Sequence, residues 1–111
     1  MTTKIAYKIL NLEQFAALQA GGFEGAPVDI ADGYIHLSSA AQLTETVHKH
    51  FAGQEGLVVL AIALERLNGK VRWEVSRGGQ LFPHIYGRLR MEDVLAHGPL
   101  RWQAGTVVLP A

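Results

Sequence analysis

Three patterns of apolar spacing run along the chain. The stretch Leu57 to Leu64 has no polar interruption, which predicts a strand covered on both faces at the centre of a sheet. Val71, Trp73 and Val75 alternate with Arg72, Glu74 and Ser76, the period of two that gives a strand one buried face. After Ser39 the spacing becomes helical. Ala40, Leu43, Val47 and Phe51 form one stripe, Ser39 with Gln42 makes a capping box, and Glu45 and Lys49 pair on the wet side.

The same reading extends to the rest of the chain. Lys4 to Leu10 reads as a first strand, and Asn11 caps a helix that gathers Leu12, Phe15, Ala16 and Leu18 on one face before Gly21-Gly22 stops it. Phe23 to Gly33, containing Pro27, Asp29 and Asp32, reads as irregular, either a flap over a site or a wrap around the surface. Tyr34 to Ser38 is a second strand. Asn68-Gly69 predicts a two-residue hairpin turn. Gly78-Gly79 breaks the next strand, and another follows from Leu81 to Tyr86. A short helix or turn near Met91 to Ala96 and a terminal strand within Leu100 to Leu109 complete the order. Helices early and hairpin-linked strands late predict an α+β fold, with residues 1–111 as one domain and two short helices.

Composition narrows the class. The 111 residues are 49% hydrophobic and 18% charged, enough for one packed core. Ten basic and ten acidic side chains cancel, so no overall field draws the chain to nucleic acid or an anionic membrane. The balance is uneven along the chain: residues 1–55 carry −3 and residues 56–111 carry +3. That split suits one basic cleft wall for a phosphate-bearing ligand, with Arg77, Arg88 and Arg90 flanking the later histidine strand, and it suits ordinary surface scatter equally well. The absence of cysteine removes disulfide and thiolate chemistry and matches a reducing cytoplasm, the expected location. "MTTKIAYKIL" carries charge where the apolar part of a secretory leader would lie, and the longest apolar run, nine residues, is too short to cross a bilayer as a helix.

Two short stretches, "YIHLS" and "FPHIY", carry the candidate chemistry. Strand alternation sends Tyr34, His36 and Ser38 to one face and Ile35 and Leu37 to the other; it likewise gathers Phe82, His84 and Tyr86 opposite Ile85. Each strand then presents an aromatic ring, an imidazole and, through Ser38 or Tyr86, a hydroxyl. This is suitable lining for a small planar ligand. The plainer alternative makes both histidines core residues satisfied by backbone. Glu74 is an acid inside a predicted strand, suited to a general base or a ribose contact, or else paired with Arg72 or Arg101 on the surface. The candidate catalytic residues are therefore Glu74 and His84, and the candidate ligand-binding residues are Tyr34, His36, Ser38, Phe82 and Tyr86. His48 and His50 lie about 200° apart on a helix and cannot grip one ion from one face. No HExxH, Rossmann turn or nucleophile elbow is present.

The quoted stretches resemble those of a family of small bacterial proteins, domain of unknown function 952. Its pattern is matched by Tyr7-Lys8-Ile9, Gly33 to Ser38, Phe51, Glu74 and Phe82 to Gly87, with Arg88 standing where the family usually has proline. The resemblance implies an ADP-ribosyltransferase-like fold, a split pair of small antiparallel sheets whose cleft binds NAD in active members. It further implies that His36-Leu37-Ser38 is the element contacting the nicotinamide ribose. NAD or a related nucleotide is the ligand so implied, with an enzyme and a non-catalytic binding module as the two readings beside a purely structural domain.

Overall fold

The computed structural model describes residues 4–67 and 69–110, with the backbone alone at Arg77. Its core is two three-stranded antiparallel sheets. The first has the order β1 (Ile5–Leu10), β3 (Val58–Ala63), β6 (Val94–Pro99), and the second β2 (Ile35–His36), β5 (Leu81–Ile85), β4 (Val71–Val75). A small hairpin of β7 (Trp102–Gln103) and β8 (Thr106–Val107) follows. The fold is α+β, as the element order predicts.

The uninterrupted apolar run explains the layering. All six residues of β3 are buried because both faces are covered. Val58, Leu60 and Ile62 join Ala6, Leu10, Ile35, Leu37 and Ile85 between the two sheets. Val59 and Ala61 meet Leu43 and Val47 of α3 (Ala40–His50), the helix that packs on the other face. Ser39 and Gln42 form the capping box that starts α3, and Glu45 and Lys49 pair at 2.8 Å on its exposed side. Tyr7 and Ser38 exchange backbone hydrogen bonds of 2.7 and 2.9 Å, the bridge at which the sheets join.

Several expectations are corrected. There are three α-helices, not two: α1 (Leu12–Gln19), α2 (Pro27–Asp32) and α3. The Phe23 to Gly33 segment is thus partly helical; Pro27 pre-sets the first turn, Asp29 caps the Ala26 amide, and Gly33 ends the helix at φ 86°. In α1, Leu18 is buried but Leu12 is 63% exposed, since only its last turns lean on the core. The regular pairing of β2 covers Ile35–His36 alone, extended by Leu37 donating to the Pro83 carbonyl. β3 and β4 belong to different sheets, so no hairpin joins them; Asn68 lies outside the described residues, and a 3-10 turn, Leu64–Leu67, leads the chain across. The true hairpin is β4–β5. Val75 at its end is 68% exposed, facing Leu81 at 52%, so the β4 alternation buries less than its pattern predicts. The C-terminal strand is the β7–β8 hairpin.

Candidate functional site

Antiparallel register sets the two histidines side by side. His36 on β2 lies opposite His84 on β5, just as Ile35 lies opposite Ile85. With the isoleucines buried between the sheets, alternation turns the histidines to the second sheet's outer face. The ring centroids of His36 and His84 are 5.2 Å apart, edge to face. Tyr34 joins both, 4.7 Å from His36 and stacked on His84 at 4.3 Å, and reaches the Tyr86 ring at 5.2 Å. Four of the seven candidate residues therefore form one ring cluster.

His36 is held between carboxylates. Its Nδ1 is 2.7 Å from Asp29 Oδ1 and its Nε2 2.9 Å from Asp32 Oδ2, so a ring with both N–H groups has an acceptor on each side. Asp29 also accepts from the His36 amide at 3.0 Å and the Ala26 amide at 2.8 Å. Its other ionic partner is Lys8, whose Nζ stands 3.0 Å away and donates to the His36 carbonyl at 2.9 Å. Burial acts to raise the Asp29 carboxyl, but the His36 hydrogen bonds, the Lys8 charge and the Ala26 amide outweigh it and hold the group at about 2. Burial pushes Lys8 down despite the opposing pull of Asp29. Lys8 lies in the Tyr7-Lys8-Ile9 match, but its role and that of Asp29 are not legible in the sequence because Lys8 and Asp29 stand far apart along the chain; the one local signal is the acid three residues into a proline-started helix.

Glu74 organises the other side of the cluster. Its Oε1 is 2.8 Å from His84 Nδ1 and accepts the Tyr86 hydroxyl at 2.8 Å. The His84 contact first, then that of Tyr86, lowers the Glu74 carboxyl, and the same carboxylate raises Tyr86. Arg72 stacks over the Tyr86 ring at 4.8 Å. Of the surface pairings the sequence allowed, Arg72 acts on Glu74 by charge, while the hydrogen bonds go to His84 and Tyr86.

A cavity of about 710 Å³ opens beside the cluster, with the Tyr7–Ser38 bridge on its wall. Tyr34, His36 and Ser38 line it, with Lys8, Asn11, Gln14, Asp32, Thr46 and Gln54, while Ala26, Pro27 and Val28 supply an apolar edge. Ser38 Oγ lies 2.9 Å from Thr46 Oγ1. Glu74, His84 and Tyr86 are not on this wall; Tyr34 stands between His84 and the cavity. Phe82 lies elsewhere, one pleat nearer the hairpin, beside Gln42, Thr46 and Gln80. Of the arginines expected near a phosphate, Arg88 donates to the Gly21 carbonyl and Arg90 pairs with Glu92; the Arg77 side chain lies outside the described residues. His48 packs its ring against Trp102 in a tilted contact, and His50 borders the cavity. Among the described residues no group of three His, Asp or Glu side chains has metal-holding geometry, and no helix is long and apolar enough to cross a membrane.

A family model described as "Protein of unknown function (DUF952)" matches residues 9–97, from within β1 into β6 and across the whole ring cluster. The chain belongs to this family. It is also similar to the crystal structure of protein CC0527 from Caulobacter crescentus, at 44% identity and a TM-score of 0.84, covering 96% of this chain and 93% of that one. The solution NMR structure of CC0527 gives a TM-score of 0.79 at 44% identity, over 95% and 91% of the two chains. No curated protein matches.

Proposed function

We propose that the cavity beside the ring cluster is a small-molecule site for a nucleoside-type ligand, with NAD among the candidates. The observation that carries this reading is the wall itself: Tyr34 and His36 sit beside the amide and hydroxyl groups of Asn11, Gln14, Ser38, Thr46 and Gln54. An aromatic face suits a planar base or nicotinamide ring, and amides and hydroxyls suit sugar oxygens. The volume falls within the roughly 300–1,000 Å³ typical of ligand sites. Lys8 is already engaged by Asp29, and among the described residues no arginine lines the cavity. Recognition therefore rests on ring and sugar, and the phosphates of a dinucleotide lie toward solvent.

An ADP-ribosyltransferase-like enzyme is the second reading, carried by the resemblance of His36-Leu37-Ser38. Breaking the nicotinamide–ribose bond needs an anionic group near the developing positive charge. Asp32 is the carboxylate on the cavity wall, paired with His36, whereas Glu74 does not line the cavity and is engaged by His84 and Tyr86. That arrangement favours binding over turnover.

Thermal denaturation with adenosine, nicotinamide riboside, NAD, ADP-ribose and ATP tests both readings. Ligand at ten times Kd contributes about 1.4 kcal/mol, raising Tm by about 5 °C in a domain of this size. The shift should vanish in His36→Ala. Nicotinamide release over hours would establish the enzyme; binding without release leaves the module. No shift with any of the five at millimolar concentration removes the nucleoside reading.

A further inference from the structure

One backbone position on the cavity wall carries polar groups that the fold leaves unmatched. β1 lies at the edge of its sheet, with β3 as its neighbour there. Along a strand, successive residues aim their N–H and C=O groups at alternate edges. The Lys4 carbonyl accepts from the Leu64 amide at 2.9 Å, so the residues in step with it, Ala6, Lys8 and Leu10, turn to β3. Tyr7 turns the other way and gives both its groups to Ser38. Ile9, in step with Tyr7, turns to that same free edge, and among the described residues neither its N–H nor its C=O has a partner. Ile9 is 4% exposed and lines the cavity. Buried backbone groups are nearly always paired, so this donor and acceptor stand out.

The strand that would complete the ladder is present but engaged elsewhere. Carrying the antiparallel Tyr7–Ser38 register on by two residues sets His36 opposite Ile9. The His36 amide instead donates to Asp29 Oδ1 at 3.0 Å, and its carbonyl accepts from Lys8 Nζ at 2.9 Å. The pairing therefore stops at an isolated bridge, and both Ile9 and His36 line the cavity. We propose that the Ile9 backbone reads the ring of the ligand, its N–H donating to an acceptor and its C=O accepting from an amino group on one edge of a planar heterocycle. That role rests on the nucleoside reading and names the ring edge it selects. An acceptor beside an amino group reproduces what a neighbouring strand would offer Ile9. The carboxamide of nicotinamide and the amidine edge of adenine share this chemistry, whereas a ring without the amino group leaves the Ile9 carbonyl unmatched. The aromatic faces of Tyr34 and His36 share the wall.

Two measurements on the unaltered protein test this. Amide hydrogen exchange of the free chain should show Lys8 and Leu10, bonded into β3, protected, and Ile9 between them exchanging at least about 10-fold faster. Protection of Ile9 equal to that of its two neighbours overturns the proposal. NMR titration following the Ile9 amide then compares two pairs of neutral ligands: nicotinamide riboside against 3-acetylpyridine riboside, in which a methyl replaces the amino group, and adenosine against purine riboside, which lacks it. Loss of the amino group should weaken binding about 5- to 150-fold in whichever pair binds, the cost of an unpaired carbonyl, and the tighter member should slow Ile9 exchange. A preference in one pair alone names the ring the site takes. Equal affinities within every pair that binds overturn the ring-edge role while the nucleoside site stands. Binding by none of the four overturns both.

Discussion

Replacing Asp29 with asparagine removes one negative charge from a buried position that receives four donors: Lys8 Nζ, the Ala26 amide, and the His36 amide and ring. Asparagine matches the shape but brings two N–H donors of its own into this set. Lys8, 7% exposed, is left as a buried cation without its anion. Breaking a buried pair in this way costs about 3–5 kcal/mol. In urea at neutral pH, with an m value of about 2 kcal/mol/M, the midpoint should fall by about 2 M. A pH series gives a second reading of the same group. The carboxyl is held at about 2 in the folded protein against 3.8 ordinarily, a stabilisation of about 2 kcal/mol. The folded value is depressed, so this contribution is complete above the unfolded pKa and is lost as pH falls from about 4 through 2. Asp29→Asn should lack that part of the acid slope. Lys8→Met combined with Asp29→Leu should recover only the part due to the stranded Lys8 charge, because the Ala26 amide and the His36 amide and ring still lose their acceptor. A loss below about 1 kcal/mol for Asp29→Asn would refute the reasoning, because it would mean that Lys8 reaches water.

Three further substitutions check the frame that carries the site. Leu60→Ala, at a fully buried position on β3, should cost about 2–5 kcal/mol by chemical denaturation; under about 1 kcal/mol would place the strand at the surface. Ser39→Ala removes the side chain that accepts from the Gln42 amide and should lower stability by about 1 kcal/mol without moving any ligand affinity. Gly33→Ala meets no atom within 4 Å of its new Cβ but must hold φ at 86°, so calorimetry should read a loss of about 1–2 kcal/mol from backbone strain alone.

The sequence made some of this legible because the physics is local. An unbroken apolar run has few places to go but between two layers, and β3 lies there. Ser39 and Gln42 cap α3 with atoms three residues apart. Strand alternation needs only its period, so the pairing of Tyr34 with His36, and of His84 with Tyr86, follows from spacing once each stretch is extended. The unread parts depend on distant neighbours. Asn68-Gly69 has hairpin chemistry, yet strand pairing is decided by where the apolar faces close, and β3 closes against β1 and β6. Asp29 looks like a loop acid until Lys8, twenty-one positions earlier, and His36 converge on it. Phe82 shares the face of His84, but the cavity ends before it because Tyr34 and α3 form its border.

Binding of a nucleoside-type molecule in the cavity beside the Tyr7–Ser38 bridge is read by amide-resolved NMR titration with nicotinamide riboside. Saturable shifts are expected around Asn11, Gln14, Tyr34, His36 to Ser38 and Thr46, which line the cavity, with their loss in His36→Ala. Shifts that fail to saturate at millimolar ligand, or that gather instead around Trp102 and the β7–β8 hairpin, would contradict it.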